Sequence, residues 1–484
     1  MTASPIAAMD APASSAPTSR LEWLDALRGI GALAAMLSHV MAYVLKDLRS
    51  ELLDGFVHVG RYGVVLFFVV SGYVIPLSLE RSRSLRRFWV GRVFRVYPAL
   101  LLSALMMAGF FATGVLPVPA TLREEPLTAT LGHVVLMQDM LGLPSMLITY
   151  WTLTFEMLFY LLVSALFVFR MNRMAVWIAP GLALVGLLAG PLLPGQLLIP
   201  DPTRRFVVTV VVFAAMVCSV AAYLSGKRKA AVMAAMVGGA FFLLPLMNAN
   251  VPPGSALVGS WVALLMLAAM FAGTVVYHAQ HRVIRPRTAM LSLVVVVLAM
   301  MTAFWAHLPS VFRDAKRLSI NQGNEIGAVV AVAATFGIAF LLRHRRIPRF
   351  LAWLGTVSYS VYLLHQPVVY LFRYVLVPDG SRRTLAEQAL IAGGIVAVTL
   401  AVSWASYRLV EKGGQTMGRH VAALLDRRLG RERSAPEYGS VRVVPDRGRR
   451  RRVAGVRRLS DTGTAGTVSP RGPSNQRKMS VDTC

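Results

Sequence analysis

The sequence predicts an all-α integral membrane protein, a polytopic helix bundle of about 10–12 transmembrane helices. Of its 484 residues, 56% are hydrophobic and only 15% are charged, and the mean hydropathy is +0.59. A soluble domain carries about 25% charged residues, so this chain must bury much of its apolar surface in lipid. The composition also excludes a disordered chain, a compact nucleic-acid-binding domain and, with two cysteines, a disulfide scaffold.

The chain divides into three regions by composition. Residues 1–20 are rich in Ala, Ser and Pro and lack the apolar core of a signal peptide, so we expect a disordered cytoplasmic lead. Residues 21–410 form the expected transmembrane domain. Residues 411–484 hold 17 basic and 7 acidic residues and predict a basic, disordered cytoplasmic tail that attracts anionic lipid. No aromatic residues interleave with its arginines, so we expect no nucleic-acid partner.

Twelve apolar runs in the transmembrane domain approach the roughly 20 residues that span a bilayer as a helix. The predicted spans are Leu24–Leu45, Tyr62–Leu79, Val96–Leu116, Tyr150–Phe169, Met174–Leu193, Phe206–Leu224, Ala230–Met247, Leu257–Val276, Ala289–Leu308, Ile326–Leu342, Trp353–Val377 and Ala386–Val410. With the N-terminus inside, the inner connections contain 18 basic residues and one acid, whereas the outer ones contain 11 basic residues and ten acids. The positive-inside rule therefore predicts that both termini are cytoplasmic.

Ionisable residues inside membrane spans are costly and mark candidate functional sites. Arg28 and His39 are eleven positions apart in the first span, so they lie within roughly 20° of one helix face and about 16 Å apart along the axis. Arg28 is predicted near the cytoplasmic end and His39 beyond the midplane. The alternatives are an arginine that snorkels to the interface and a histidine that only hydrogen-bonds within the bundle.

Two further charged positions extend this pattern. Arg92 and Arg95 share one face if their segment is helical, and paired arginine forks suit phosphate capture; an ordinary basic loop is the alternative. Glu156 lies six residues into the fourth span, at the depth predicted for His39, where a carboxylate would orient the imidazole as a general base. A structural carboxylate paired with an arginine is the alternative for Glu156.

Polar residues at mid-depth in the second and eleventh spans have two interpretations. Ser71, Tyr359 and His365 either contact an acceptor or are structural, and residues 67–73 are typical of a closely packed seam. The sequence contains no HExxH, GxSxG, Walker-type or CxxC pattern. We therefore expect no metal site and no hydrolase or ATPase chemistry of the soluble type.

Five motifs, in this order, resemble those of the membrane acyltransferase family 3, the acyl-CoA-dependent integral membrane O-acyltransferases. They are DALRG at 25–29 with His39, FFVVSGY at 67–73, RVFRVYP at 92–98, WTLTFE at 151–156 with Phe159 and Tyr160, and SYSVYLLH at 358–365. One motif of the family is an arginine followed, after ten intervening residues, by a histidine, and it falls on Arg28 and His39. The family's Arg-x-x-Arg motif falls on Arg92 and Arg95.

The resemblance implies an enzyme of the bacterial inner (plasma) membrane that transfers an acyl group, commonly acetyl. The donor would be cytoplasmic acyl-CoA (acetyl-CoA), with no permanently bound cofactor, and the acceptor a hydroxyl on a carbohydrate or another extracytoplasmic or lipid-linked molecule. Arg28, Arg92 and Arg95 would bind the acyl-CoA, His39 would act as base or acyl carrier, and Glu156 would orient it.

Three other classes remain as alternatives. A secondary transporter would also have about twelve helices, but it would predict internal repeats, and the pattern from Arg28 to His39 has no second copy. A different membrane acyltransferase fold, built around a single buried histidine such as His365, is the second alternative. A receptor or scaffold without catalytic activity is the third.

Overall fold

The computed structural model describes residues 21–45, 56–248, 259–310, 314–376, 384–430 and 432. The predicted lead of residues 1–20 and the tail from residue 433 onward lie outside the described residues and stay predictions. The α-helices are α1 Glu22–Tyr43, α2 Val59–Ser82, α3 Leu85–Ala112, α4 Ala120–Glu124, α5 Pro126–Val134, α6 Trp151–Val168, α7 Ala175–Leu188, α8 Pro202–Ser225, α9 Arg228–Ala240, α10 Leu243–Met247, α11 Ser260–Gln280, α12 Pro286–His307, α13 Ala315–Leu341, α14 Arg349–Leu376, α15 Leu385–Ser406 and α16 Lys412–Arg428.

Among the described residues, 10 helices are long and apolar enough to cross a membrane. The predicted spans 174–193 and 353–377 coincide with the two helices outside this set, the short α7 and the 28-residue α14. The helix α14 is less apolar because it carries the Ser, Tyr and His residues of the fifth motif, followed by Gln366. The prediction of a polytopic all-α membrane protein is confirmed.

The start of α3 meets the ends of several other helices at one end of the bundle, which we name the basic face. Arg86 Nη1 lies 2.9 Å from Asp426 Oδ1 on α16, and Arg86 Nε donates to the carbonyl oxygen of Leu224 on α8 at 2.7 Å. Near this end, the hydroxyl of Tyr73 donates to Gln280 Oε1 at 2.8 Å. The positive-inside rule predicts that the basic face is cytoplasmic.

Glycines bring the helices that carry the motifs into close contact. α1 packs along α14, where a Cβ added to Gly355 would lie 2.1 Å from the carbonyl oxygen of Asp25. α2 packs against α11, where a Cβ on Gly72 would lie 1.7 Å from the carbonyl oxygen of Met270. Only glycine permits such an approach. A Cβ on Gly63 of α2 would likewise lie 2.7 Å from the carbonyl oxygen of Gly31 on α1, so the motif-bearing helices α1, α2 and α14 are held in close contact.

The third helix is longer toward the basic face than the predicted span 96–116. It begins at Leu85 because Ser84, in an extended conformation, caps it by accepting a hydrogen bond from the backbone N–H of Arg87. The predicted basic loop that holds Arg92 and Arg95 is therefore helical. Its two arginines share one face of α3, as their spacing predicted.

The connection between α3 and α6 re-enters the bundle. It contains the 3₁₀ turns Gln138–Leu141 and Ile148–Tyr150, and most residues of its second part, 135–150, are buried. The hydroxyl oxygen of Tyr150 lies 2.7 Å from Ser103 Oγ. Ser103 precedes the end of α3 by nine residues, so Tyr150 lies about 14 Å inside that end. The fourth span thus begins within the bundle instead of at its outer boundary.

A buried carboxyl group lies in this re-entrant connection. Asp139 is 3% exposed and accepts hydrogen bonds from Gln138 Nε2 at 2.8 Å and from the hydroxyls of Ser145 and Thr154 at 3.2 Å. Burial raises the pKa of Asp139 to about 6, because the charged form loses its hydration. The hydrogen bonds only partly offset this effect.

The expectation of disorder from residue 411 onward is corrected by α16, which occupies residues 412–428. A π-turn, Tyr407–Glu411, joins α16 to α15. On the inner side of α16, a Cβ on Gly418 would lie 2.7 Å from Phe94 Cβ. The segment has a short amphipathic pattern, but it is also rich in charged residues and glycine. Because composition alone does not show the pattern, it indicated a disordered tail.

Candidate functional site

Three arginines predicted to bind the donor lie together in the half of the bundle nearest the basic face. Arg28 on α1 interacts electrostatically with Arg92 and Arg95 on α3 and with Glu156 on α6. Arg28 Nη1 also lies 3.6 Å from Asp25 Oδ1. The positions of Arg92 and Arg95 in α3 place them about 10–15 Å from its first residue. The structure thus brings together residues that are distant in sequence.

A cleft of about 450 Å³ opens between α3 and α16 beside two of these arginines; we name it the basic cleft. Its charged lining residues are Arg87, Arg92, Arg95, Arg419 and Asp426. Asp426 is already paired, since its carboxylate lies 2.9 Å from Arg86 Nη1 and 2.9 Å from Arg87 Nη2. The cleft therefore presents a surplus of positive charge, which suits an anionic ligand.

Arg92 is the most deeply buried cation of the cleft, at 6% exposure. Its guanidinium carbon lies 5.1 Å from the ring centre of Phe88 and 5.3 Å from that of Tyr160. Within the part of the chain that the structure describes, neither Arg92 nor Arg95 belongs to one of the close ion pairs. Buried charges are normally paired, so this position is suited to a phosphate.

Glu156 lies with the arginines and not beside His39. Its Oε1 accepts a hydrogen bond from the hydroxyl of Tyr160. Thr152, one turn earlier in α6, bonds to Tyr362 of α14, and α14 continues three residues further from the basic face to His365. The rise of the two helices separates Glu156 from His365 by about 10 Å along the bundle axis.

The expectation that Glu156 shares the depth of His39 and orients its imidazole is therefore corrected. The physical reason is the re-entrant connection, which moves the start of α6 inward and shifts Glu156 toward the basic face. The geometry is closer to the alternative of a carboxylate paired with an arginine, since Glu156 interacts electrostatically with Arg28 and Arg92, but it forms none of the close ion pairs of the described residues. Whether Glu156 takes part in catalysis stays a prediction.

Two histidines meet in the outer half of the bundle. The ring centroids of His39 on α1 and His365 on α14 are 5.3 Å apart. Nδ1 of the fully buried His365 lies 2.9 Å from the carbonyl oxygen of Val361, so the hydrogen of the neutral ring is assigned to Nδ1. Its Nε2 has no hydrogen-bond partner among the described residues. The structure thus joins His365 to the predicted base, a pairing that the sequence analysis did not foresee.

A cavity of about 270 Å³ lies beside this histidine pair on the side away from the basic face; we name it the outer cavity. Its polar and aromatic lining residues are Ser38, His39, His58, Arg61, Thr149, Trp151, Asn324 and Tyr362. Hydroxyl, imidazole, amide and aromatic groups together are suited to a hydroxylated ligand, which needs several hydrogen bonds and apolar ring faces.

An ion pair that was not predicted from the sequence borders the outer cavity. Arg61 Nε donates to Glu325 Oε2 at 3.0 Å, and the two side chains are only 8% and 9% exposed. The residues belong to α2 and α13, and both were assigned to outer connections because the predicted spans began after them. The signal available in the sequence was a lone charge at the border of each of two apolar runs.

Three side chains in mutual contact lie at a depth between His39 and Glu156. The hydroxyl oxygen of Tyr362 lies 2.8 Å from Thr152 Oγ1 and 3.2 Å from the carbonyl oxygen of Thr149. The ring of Phe67 on α2 lies 5.4 Å from that of Tyr362, centroid to centroid. We name Phe67, Thr152 and Tyr362 the barrier. A reagent from the basic cleft must pass it to reach His39.

The remaining predicted positions line neither cavity. Ser71 is half-buried on α2, and the hydroxyl of Tyr359 donates to the carbonyl oxygen of Val96 at 2.9 Å. Tyr359 therefore ties α14 to α3, which supports a structural contribution. Over the described ranges, no group of three or more His, Cys, Asp or Glu residues is arranged to hold a metal ion.

Comparisons with known proteins agree with this arrangement. A family model described as an acyltransferase domain, of the acyltransferase 3 type, matches residues 21–408. Over 77 residues, 16% of the chain, the sequence is 36% identical to 22% of an O-acetyl transferase of Shigella phage Sf6. Over 156 residues, 29% of the chain, it is 30% identical to 23% of the peptidoglycan O-acetyltransferase OatA of Listeria monocytogenes serovar 1/2a.

The aligned parts cover less than a quarter of each of these curated relatives. No solved structure matches the chain. The family match is far more extensive, since it includes all five motifs and every helix from α1 to α15. The resemblance predicted from the motifs is confirmed, and the chain belongs to the acyltransferase 3 family of membrane enzymes.

Proposed function

We propose that this protein is an integral membrane O-acetyltransferase. It moves an acyl group, acetyl in the simplest case, from cytoplasmic acyl-CoA to a hydroxyl of a carbohydrate or another extracytoplasmic or lipid-linked acceptor at a bacterial inner membrane. The observation that carries the proposal is the pair of polar cavities on opposite sides of the barrier, one bordered by arginines and one by His39. The names of the relatives support acetyl transfer to oxygen.

The donor would enter from the basic face. Arg92 and Arg95 would hold the phosphates of acyl-CoA in the basic cleft through charge-assisted hydrogen bonds, and Arg28 would stabilise the deeper part of the donor. The pantetheine arm would then extend past the barrier toward His39, about 16 Å from Arg28 along α1. Glu156 would keep the arginine cluster from repelling itself when no donor is bound.

The acceptor would enter the outer cavity. His39 would take the proton of its hydroxyl while the hydroxyl oxygen attacks the thioester carbonyl carbon. The new C–O ester bond forms, the C–S bond breaks, and the CoA sulfur leaves with the proton that His39 has taken. His365 is fully buried and does not line the outer cavity, but it lies close enough to fix the His39 ring. Donor and acceptor would reach His39 from opposite sides, which is compatible with direct transfer and with a transient acyl-His39.

Binding and turnover of acetyl-CoA by the purified protein in nanodiscs test this proposal. We expect His39→Ala to keep acetyl-CoA affinity within about twofold and to lose slow thioester hydrolysis by about 100-fold or more, the usual effect of removing a general base. The double variant Arg92→Ala, Arg95→Ala should instead lose affinity first. Arg92→Lys should also bind more weakly, because an ammonium group does not replace the bidentate fork.

The proposal would be contradicted if His39→Ala lost acetyl-CoA affinity while the double variant Arg92→Ala, Arg95→Ala kept it. Failure of the wild-type protein to bind acetyl-CoA or longer acyl-CoA species would remove the cytoplasmic donor. A secondary transporter would then be the better interpretation, and it would show accumulation of solute in proteoliposomes without thioester cleavage.

A further inference from the structure

We infer that α16 belongs to the donor site: Arg419 and Gln415 on this helix bind a phosphate group of the nucleotide end of acyl-CoA, opposite Arg92 and Arg95. The inference rests on the proposed function and extends it beyond the family match, which ends at residue 408. All four side chains line the basic cleft, two from α3 and two from α16. Without α16, the arginines of α3 would face an open surface.

The helix α16 is anchored to the rest of the bundle at both ends. Near its start, a Cβ on Gly414 would lie 2.6 Å from the ring of Pro98 on α3. Near its end, the buried Arg86 donates to Asp426 Oδ1 at 2.9 Å and to the carbonyl oxygen of Gly430 at 2.8 Å. A helix held in this way forms a fixed wall of the cleft, and a fixed wall can position a ligand.

The charges of the cleft favour phosphate over other ligands. Asp426 neutralises Arg87, while Arg92 and Arg95 take part in none of the close ion pairs between described residues. Arg419 is exposed and donates through Nη2 to Thr416 Oγ1 at 2.9 Å, which leaves further donors of its guanidinium for a ligand. The nucleotide end of CoA offers a diphosphate and a separate phosphomonoester, enough anionic groups for arginines on both walls.

The test compares two arginines of the same helix. Arg419 lines the cleft, whereas Arg428, in the last turn of α16, is also exposed and does not line it. In nanodiscs of phosphatidylcholine, which exclude anionic lipid, we expect Arg419→Ala to weaken CoA binding about tenfold by calorimetry. Arg428→Ala, with the same change of charge, should stay within about twofold of wild type. Arg419→Lys should fall between them.

A second donor separates binding of the nucleotide from damage to the enzyme. Acetyl-pantetheine carries the thioester without the nucleotide, so the preference for acetyl-CoA over acetyl-pantetheine, measured as the ratio of their kcat/KM values, should fall about tenfold in Arg419→Ala and stay within about twofold of wild type in Arg428→Ala. Equal CoA affinities for the Arg419→Ala and Arg428→Ala proteins would overturn this inference and leave the donor assignment intact. A loss confined to binding of phosphatidylglycerol vesicles would overturn it in favour of a lipid headgroup. Absence of CoA binding by wild type would overturn both.

Discussion

Two buried arginines of this protein differ in how their charge is balanced. Arg61 is hydrogen-bonded to the buried carboxylate of Glu325, whereas Arg92 rests on aromatic rings near the basic cleft. Arg92 also hydrogen-bonds with Tyr160 and interacts electrostatically with Glu156, but it belongs to none of the close ion pairs of the described residues. A buried charge without a close counter-ion is retained only where something compensates it. Arg61 therefore contributes to the fold of α2 against α13, while Arg92 is suited to a ligand that arrives from solution.

Removal of one partner of the Arg61–Glu325 pair should destabilise the protein strongly. We expect Arg61→Met to lower the free energy of unfolding by about 3–5 kcal/mol, because the carboxylate of Glu325 is left buried without its cation. Thermal unfolding of the purified protein in detergent measures this. The double variant Arg61→Met, Glu325→Leu should recover most of the loss, and equal stability of the single and double variants would contradict the argument.

At the level of elements, the re-entrant connection between α3 and α6 determines where the fourth motif lies. It sets the start of α6 about 14 Å inside the end of α3 and so places Glu156 among the arginines. The same connection supplies Ile148 and Thr149 to the outer cavity, next to Trp151 at the start of α6. One segment therefore shapes both halves of the site.

The buried Asp139 should make the stability of this connection depend on pH. Its pKa rises from the usual 3.8 to about 6. At a pH between these two pKa values, the carboxyl group has lost its proton in the unfolded chain and retains it in the folded chain. Stability should fall as the pH rises from about 4 to 6 and then stay lower by about 3 kcal/mol. In Asp139→Asn this fall should be absent from unfolding curves recorded between pH 4 and 7. Parallel curves for the two proteins would refute the assignment.

At the scale of the whole molecule, the basic cleft and the outer cavity open toward opposite ends of one helix bundle. The proposed function requires the basic face to be cytoplasmic, as the distribution of Lys and Arg predicts. The order of helices then fixes the side on which every connection lies.

Reporter fusions to the full chain and to truncated chains test this orientation. Alkaline phosphatase fused after Cys484 or after Arg285 should be inactive, and green fluorescent protein at the same positions should fluoresce, because both positions are predicted to be cytoplasmic. Phosphatase fused after Ser310 should be active. Activity of the fusion after Arg285 together with inactivity after Ser310 would reverse the orientation and place the arginine cluster on the outer side.

The sequence predicts the helices far better than it predicts their relative depth. Each predicted span coincides with a helix, because an apolar run of sufficient length has few other solutions in lipid. The convergence of Arg28, Arg92 and Arg95 was also predicted, from spacing and motif resemblance. The depth of Glu156 was not, since it depends on a buried connection that composition does not distinguish from a loop. The partnership of Arg61 with Glu325, distant in sequence, required the tertiary structure.

The barrier of Phe67, Thr152 and Tyr362 has a consequence for the energy supply of the cell. A cell membrane stores work as a voltage and a proton gradient, about 2.3 kcal/mol for each charge at 100 mV. A continuous file of water between the two cavities would dissipate that store. On the proposed function, the side chains that move aside for the donor arm must therefore close again behind it, so that acyl transfer toward the outer cavity does not open a path for protons.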